Sequence, residues 1–174
     1  MRDAHDQLIA CIPRLRRYAR ALVGDRARAD DLVQDTMERG WKHLAAWRHD
    51  GDMRAWLFSI MHNVYVDQMR RPALVTEALA DASSADIFMD RESDEDSTIA
   101  FADLEAGLRM LPDEQREILL LVALEEMPYE EVAMTLNVPI GTVMSRLSRA
   151  RQKLRAHREG RLDVSASSVL KVVK

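Results

Sequence analysis

The stretch from 129 to 157, YEEVAMTLNVPIGTVMSRLSRARQKLRAH, constrains the fold more than any other part of the chain. Its first residues repeat apolar side chains at the spacing of one helical face, namely Tyr129, Val132, Ala133 and Leu136. Pro139 then ends this helix, because it lacks a backbone N–H and restricts Val138 to extended conformations. A second helix begins near Gly141 and Thr142, with an expected buried stripe of Val143, Leu147, Ala150 and Leu154. Two helices joined by so tight a turn predict a helix-turn-helix, whose second helix usually enters the major groove of DNA.

The second helix of this motif is also strongly basic. Its other faces carry six bases and no acid before Glu159, namely Arg146, Arg149, Arg151, Lys153, Arg155 and Arg158. A basic face of this kind indicates binding to nucleic acid. A helical hairpin whose charges are only solvated has the same pattern, so the motif alone leaves both interpretations open.

The composition predicts an all-α protein. Hydrophobic residues make up 47% of the 174 residues, which is enough for a packed core, whereas aromatic residues make up only 5%. Alternating runs of β-branched residues, which indicate strands, are absent. The six glycines and five prolines leave long stretches in which a helix is not interrupted.

The net charge of −4 argues against nucleic-acid binding until its distribution is considered. From 72 to 103 there are nine acids and one base, whereas from 140 to 161 there are seven bases and one acid. The acidic segment has few large apolar residues and no helical period, so we predict a flexible linker from 72 to 97. Such segregation of charge carries more information than the sum.

Several protein classes are disfavoured by what the sequence lacks. Cys11 is the only cysteine, which excludes an intramolecular disulfide and a thiolate zinc site, and we expect it to be a small core residue. His49 and His62 do not have the spacing of a metal-ligand pair, and no nucleophile with a base or glycine-rich phosphate loop is found. We therefore expect no enzyme activity, no metal and no cofactor. The absence of a signal peptide and of an apolar run of about 18 residues predicts a cytoplasmic protein without membrane insertion.

An acidic row marks the helix predicted from about 27 to 47. The apolar stripe of this helix is expected to comprise Leu32, Val33, Met37, Trp41 and Leu44. Another face carries Asp31, Gln34, Asp35 and Glu38. Acids are favourable near a helix N-terminus, which accounts for Asp31 but less well for the other members of the row.

The order of the motifs along the chain resembles that of a known family. DDLVQDTMERGWKHLAAW is followed by DMRAWLFSIMHNVYVDQMRR, then by the acidic segment, and then by LPDEQREILLLVALEEMPYEEVAMTLNVPIGTVMSRLSRARQKLR. This order and spacing resemble the extracytoplasmic-function, or group IV, sigma factors of bacterial RNA polymerase over about residues 8–158. The resemblance implies two small helical domains joined by the linker: a sigma-2 domain at 1–71 and a sigma-4 domain at 98–159, followed by a tail at 160–174.

The resemblance also implies a role for each surface of the N-terminal domain. The acidic row Asp31, Gln34, Asp35 and Glu38 would bind core RNA polymerase, mainly a coiled coil of its β′ subunit, with the β subunit as a second partner. The loop and helix that follow would bind the promoter minus-10 element through His49, Asp50, Gly51, Asn63, Asp67, Arg70 and Arg71. Trp56 could stack on a base, although its place in an apolar band favours core packing.

The resemblance also implies roles for the C-terminal domain and for the linker. Thr142, Ser145, Arg146, Arg149, Arg151 and Lys153 would bind the minus-35 element, where arginine can pair with guanine or clamp phosphate. Met144 and Ser148 depart from the residues expected there. The linker could imitate nucleic acid in the RNA-exit path, or its charge could serve solubility alone. The resemblance further implies control by an anti-sigma factor in a stress response.

Two other functions compete with this one. A stand-alone DNA-binding regulator would share the helix-turn-helix, but it would leave the acidic row unexplained. A helical adaptor or an enzyme has less support, because no catalytic constellation is found in the sequence.

Overall fold

The computed structural model describes residues 2–47, 51–70 and 104–160, and within these ranges the chain forms helices and turns without a strand. The predicted all-α class is confirmed. The described part from 2 to 70 is here called the N-terminal unit. Its helices are α1 (Arg2–Ala10), α2 (Ile12–Val23), α3 (Arg26–His43), a short 3-10 turn (Leu44–Ala46) and α4 (Met53–Arg70).

The part from 104 to 160 is here called the C-terminal unit. It begins with a helical segment at 104–109, called α5. Its other helices are α6 (Asp113–Ala123), α7 (Tyr129–Leu136) and α8 (Ile140–Arg158). The predicted linker at 72–97 and the tail beyond 160 lie outside the described residues, so the predicted domain boundaries stay predictions.

Local residue chemistry sets the helix ends of the N-terminal unit. Pro13 lies in the first turn of α2, where its missing N–H breaks no helical hydrogen bond. Gly24 ends α2 in the left-handed conformation at φ 72°, which side chains other than glycine rarely adopt. Asp25 then caps α3 by accepting a hydrogen bond from the Arg28 N–H at 2.7 Å.

The helix-turn-helix forms as the sequence predicts. Pro139 precedes α8, and Asn137 takes a left-handed conformation with φ 52° at the end of α7. The Asn137 N–H donates to carbonyls of the last turn of α7, which gives the helix a C-terminal cap. The stripe Val143, Leu147 and Ala150 of α8 is buried. This stripe packs α8 against α6 and α7, and it therefore fixes which face of α8 is turned to solvent.

The apolar stripe predicted for α3 is wrong at Trp41, which is 54% exposed. The helix packs through a neighbouring face instead, with Leu32, Val33, Thr36 and Gly40 buried. Gly40 allows this close packing, because a Cβ there would lie 2.9 Å from a methyl carbon of Leu57. The rotation that brings Gly40 inward turns Trp41 outward.

The two units contact each other. Helix α4 packs against α7, and α2 packs against α6. Tyr18 and Phe58 pack edge to face in the N-terminal core, with ring centroids 4.9 Å apart.

Within the ranges that the structure describes, no helix is both long enough and apolar enough to cross a membrane.

Candidate functional site

The exposed face of α8 brings together five of its six predicted minus-35 residues. At about 100° per residue, the positions of Thr142, Ser145, Arg146, Arg149 and Lys153 fall on one side of the helix. Thr142 and Arg146 are half-buried, and the other three are exposed. Arg151 falls roughly half a turn away from Thr142, on the opposite flank. The structure therefore separates Arg151 from the other candidates.

Two contacts within the C-terminal unit order the start of this face. Arg146 forms an ion pair with Glu114, with Nη2 and Oε2 2.6 Å apart. The Ser145 hydroxyl donates to the carbonyl oxygen of Thr142 at 3.1 Å. Glu114 lies in the first turn of α6, so the ion pair connects the recognition helix to the preceding core helix and limits the rotamers of Arg146.

A groove of about 570 Å³ runs along the Arg151 flank of α8. Its lining includes Tyr129, Met144, Ser148, Arg151 and Arg155. Met144 and Ser148, the two departures from the expected pattern, therefore border this groove rather than the face that carries Arg149. The difference from the family pattern falls outside the five-residue face.

The acidic row of α3 is fully on the surface. Asp31, Gln34, Asp35 and Glu38 are all exposed. Glu38 accepts a hydrogen bond from Lys42 at 2.5 Å, and this bond together with the lysine charge lowers the pKa of Glu38. Asp35 accepts a hydrogen bond from Gln68 of α4 at 3.0 Å. The row thus presents carboxylates to solvent, with one of them oriented by the neighbouring helix.

Trp41 borders the same surface. Its helical position lies next to those of Gln34 and Glu38, which are respectively seven and three residues before it in the chain. Its ring makes an edge contact with that of His5 of α1, at a centroid distance of 4.4 Å. Aromatic residues such as an exposed tryptophan are enriched in protein interfaces. The apolar spacing of the α3 residues predicts Trp41 in the core, so this surface residue could not be found from the sequence pattern.

One face of α4 carries Asn63, Asp67 and Arg70, and all three are exposed. Asp67 accepts a hydrogen bond from Arg39 of α3 at 3.0 Å. Trp56 is partly buried against the core, in agreement with the packing interpretation. Gly51 is exposed, whereas His49, Asp50 and Arg71 lie outside the described residues.

A set of charged residues joins the two units, and the sequence analysis did not predict it. Glu125, between α6 and α7, has a side chain with no solvent exposure. Its Oε1 accepts a hydrogen bond from Arg17 of α2 at 3.1 Å, and its Oε2 lies 3.9 Å from the Arg14 guanidinium. Burial raises the pKa of Glu125, and the Arg17 hydrogen bond opposes that rise only in part. The carboxylate is held between the units by arginines of α2.

Two residues of α4 complete this contact: Arg54 lies on the side of the helix opposite Asn63, and His62 lies about 100° around the helix from Asn63. His62 Nδ1 lies 2.8 Å from Oε1 of the buried Glu117. Arg54 donates to the Glu125 carbonyl at 2.8 Å, and its guanidinium lies 3.9 Å from the carboxylate of Glu131. We call this set the interdomain contact: Arg14, Arg17, Arg54 and His62 from the N-terminal unit, and Glu117, Glu125 and Glu131 from the C-terminal unit.

Arg116 of α6 adds a further link between the units. Its guanidinium donates to the carbonyl oxygens of Leu108 and Leu111 in its own unit, each at 2.8 Å, and to that of Leu22 at the end of α2, also at 2.8 Å. The side chain is only 13% exposed. One arginine thus holds the turn between α5 and α6 against the N-terminal unit.

These long-range partners explain why sequence reasoning missed the contact. Arg17 and Glu125 are separated by 108 residues and His62 and Glu117 by 55, so no helical period connects them.

Within the described part of the chain, no group of three His, Cys, Asp or Glu side chains could hold a metal ion.

Comparisons with known proteins give a consistent result. A family model described as the sigma-2 domain of PhyR matches residues 8–62, and the model of sigma-70 region 4 matches residues 101–154. The chain is 35% identical to the ECF RNA polymerase sigma factor EcfG of Rhodopseudomonas palustris over 87% of this chain and 82% of that one.

Two solved structures are similar to this chain over most of its length. One is the sigma factor RpoE in complex with the anti-sigma factor NepR from Bartonella quintana, with a TM-score of 0.72 and 28% identity over 91% of this chain and 98% of that one. The other is CnrH in complex with the cytosolic domain of CnrY, with a TM-score of 0.66 and 26% identity over 91% of this chain and 89% of that one.

Proposed function

The chain belongs to the extracytoplasmic-function sigma factors of bacterial RNA polymerase, and on this basis we propose how its surfaces divide the work of transcription initiation. The observation that carries the proposal is the presence of three exposed faces of different chemistry: an acidic row on α3, a mixed polar face on α4 and a basic face on α8. No single partner fits all three faces. Three partners together do, because each face fits one of them: core polymerase, the minus-10 element or the minus-35 element.

The acidic face of α3 would bind a basic surface of the core enzyme. Asp31, Asp35 and Glu38 supply the charge for electrostatic steering, and Trp41 adds apolar area of the kind that dominates interface energetics. We therefore add Trp41 to the acidic row as a further residue proposed to bind core polymerase. The hydrogen bond from Gln68 to Asp35 fixes that carboxylate before binding, which lowers the entropic cost of forming the complex.

The face of α4 would bind the promoter minus-10 region after the strands separate. Arg70 supplies positive charge for the backbone, and Asn63 supplies an amide with both donors and an acceptor for an exposed base edge. Asp67 is paired with Arg39, so its contribution would be to orient that arginine toward the strand. His49, Asp50 and Arg71 remain predicted members of this surface.

The basic face of α8 would read the minus-35 element in the major groove. Arg149 is exposed at the middle of the face and can form the bidentate contact that distinguishes guanine. Arg146 is restrained by Glu114, so it is preorganised for one contact. Lys153 lies one turn beyond Arg149 and fits a phosphate contact. Arg151, on the opposite flank, would contribute less.

An anti-sigma factor is the regulatory partner that we propose for this chain. In the similar structure from Bartonella quintana, the sigma factor RpoE is bound to the anti-sigma factor NepR, and in the other similar structure CnrH is bound to the cytosolic domain of CnrY. From these proposed partners we infer that the protein acts in the cytoplasm, as a binding regulator rather than an enzyme.

The decisive experiment mixes the protein with core polymerase that lacks sigma and with genomic fragments, followed by mapping of transcript starts. We expect starts that share two upstream elements at a fixed spacing. Arg149→Ala should lower transcription from promoters with the minus-35 element by about tenfold, since a good base contact contributes about 1–3 kcal/mol. Arg151→Ala, the matched control on the same helix, should lower it less than about threefold. Tight binding to duplex DNA without core polymerase, and without mapped starts, would favour the stand-alone regulator.

A further inference from the structure

An exposed methionine lies near the start of the recognition helix. Met144 is the fifth residue of α8 and is 53% exposed. It lies about 100° around the helix from the buried Val143, so it does not belong to the stripe that packs α8 against α6 and α7. Single exposed apolar side chains are common on protein surfaces. The position of Met144, rather than its exposure alone, therefore carries the argument.

The face of α8 that carries Met144 is uncharged over its first turns. Between 141 and 152, the helical angles place five exposed residues within an arc of about 100°. None of the five is charged, and they are Gly141, Met144, Ser145, Ser148 and Gln152. The charge of the basic helix is therefore absent from the part of its surface that points most directly away from the protein core.

Arginines border this uncharged face on both sides. Arg149 lies about 40° beyond Ser145, and Arg151 lies about 20° beyond Met144 in the other direction. Both arginines are exposed. The major groove has a matching arrangement, because its floor presents base edges and its two walls are phosphate backbones. Charge complementarity thus favours an orientation in which the uncharged face meets the base edges and one arginine lies toward each wall.

Met144 can offer a base edge only an apolar contact. Its thioether has no hydrogen-bond donor and is a weak acceptor, so it cannot make the contacts that arginine makes to guanine. The apolar group that unmodified base pairs present in the major groove is the C5-methyl of thymine. The unbranched, flexible side chain of methionine adapts well to such a surface. Ser148, one turn later on the same side, has a short side chain and leaves space beside Met144.

We propose that Met144 contacts the C5-methyl group of a pyrimidine in the minus-35 element. This group belongs to thymine in unmodified DNA and to 5-methylcytosine in methylated DNA. The inference rests on the proposed function, because it requires α8 to bind this element. Loss of the methyl group should weaken binding about three- to fivefold, which is the change expected when one methyl leaves an apolar contact. Met144 thereby adds a preference that the charged residues of α8 do not supply.

The test uses holoenzyme assembled from core polymerase and the full chain, on a promoter whose minus-35 element has been mapped. Each thymine of the element, on either strand, is replaced in turn by deoxyuridine, which pairs with adenine but lacks the C5-methyl. Competition binding should show one replacement that weakens wild type about three- to fivefold. For Met144→Ala, the same replacement should change binding by less than about 1.5-fold, because the apolar partner is already gone.

Two control variants separate the contact from a general effect on the unit. Met144→Leu keeps an apolar side chain of similar volume and should keep the deoxyuridine penalty. Met134→Ala removes a methionine of α7 that is 75% exposed, and it should keep the penalty as well. Circular dichroism verifies that each variant retains its helices.

A second set of promoters identifies the source of the methyl group. In this set, 5-methylcytosine replaces each cytosine of the element in turn. Tighter binding by wild type at one such position, absent in Met144→Ala, would assign the contact to methylated cytosine, whereas a deoxyuridine penalty assigns it to thymine.

Two results would overturn the inference. One is the absence of any position at which a methyl group distinguishes wild type from Met144→Ala, and the other is a deoxyuridine penalty that persists in Met144→Ala. Failure of this inference and failure of the proposed function give different results. If wild type produces no mapped starts, the proposed function fails and this inference fails with it. If wild type initiates from promoters with a minus-35 element but shows no methyl dependence through Met144, only this inference fails.

Discussion

Two sets of charged side chains in this molecule use the same residue types in opposite ways. The acids Asp35 and Glu38 of α3 are exposed, and among the described residues they bond to Gln68 and Lys42 of the same unit. The acids Glu117 and Glu125 are buried and paired with bases of the other unit. The pKa of Glu38 is lowered by Lys42, whereas burial raises the pKa of Glu125 despite Arg17. An exposed carboxylate is available to a partner, and a buried one is committed to the fold.

The comparison shows that exposed charges are suited to binding other molecules, whereas buried charges are suited to fixing contacts between the two units. Exposed charges keep their hydration and so contribute little to stability, which leaves them free to be selected for binding. Buried charges need a partner with suitable geometry, so they specify one arrangement of the two units. Three experiments test this division, the first on the buried side, the second on the exposed side and the third on the sign of the pKa shift.

The largest effect is expected from Arg116→Ala. The substitution leaves the carbonyl oxygens of Leu22, Leu108 and Leu111 without this donor, and it should lower the free energy of unfolding by about 3–5 kcal/mol. Urea unfolding followed by circular dichroism measures the loss. Arg109→Ala, which removes an exposed guanidinium paired with Glu105, should cost less than about 1 kcal/mol. Equal losses for the two variants would contradict the division between buried and exposed charge.

An intermediate effect is expected from Asp35→Arg on the exposed side. Reversing one charge in the acidic row should weaken binding to core polymerase by about 10–100-fold, because like charges then meet across the interface. Gln68→Ala is the control, because it breaks the same hydrogen bond to Asp35 and leaves the charge in place. Fluorescence titration with core enzyme distinguishes the two. If Gln68→Ala weakens binding as much as Asp35→Arg, the row acts through helix packing rather than through its charge.

Much of this fold could be predicted because its signals are local. The stripe of Val143, Leu147 and Ala150 at helical spacing predicts both α8 and its buried face. Pro139 predicts the turn before it. The acidic row was visible for the same reason, since its members lie three and four residues apart on one helix.

The features that could not be predicted depend on contacts between residues far apart in the chain, which no local sequence pattern indicates. Trp41 is apolar at an apolar spacing, but the close approach at Gly40 selects the adjacent face of α3 for burial. Glu125 follows a core helix in a short acidic run, and its buried carboxylate accepts a hydrogen bond from Arg17, which is 108 residues away. Such facts need the packed structure, because the same residues with a rotated helix or separated units would be solvated.

The smallest effect, and the sharpest test of the comparison, is the pH dependence of Glu125→Gln. Because burial raises the folded pKa of Glu125 above its ordinary value of 4.5, the folded chain holds this proton more tightly than the unfolded chain. The contribution to stability is therefore fully present below pH 4.5 and is lost as the pH rises through the folded pKa. As the pH rises above 4.5 and through the folded pKa, wild type should lose stability relative to Glu125→Gln, which cannot titrate at this position. Urea midpoints across this range give the difference. A wild type that instead gains stability relative to the variant as the pH rises would show that Arg17 and Arg14 outweigh burial, and that Glu125 behaves like the exposed Glu38.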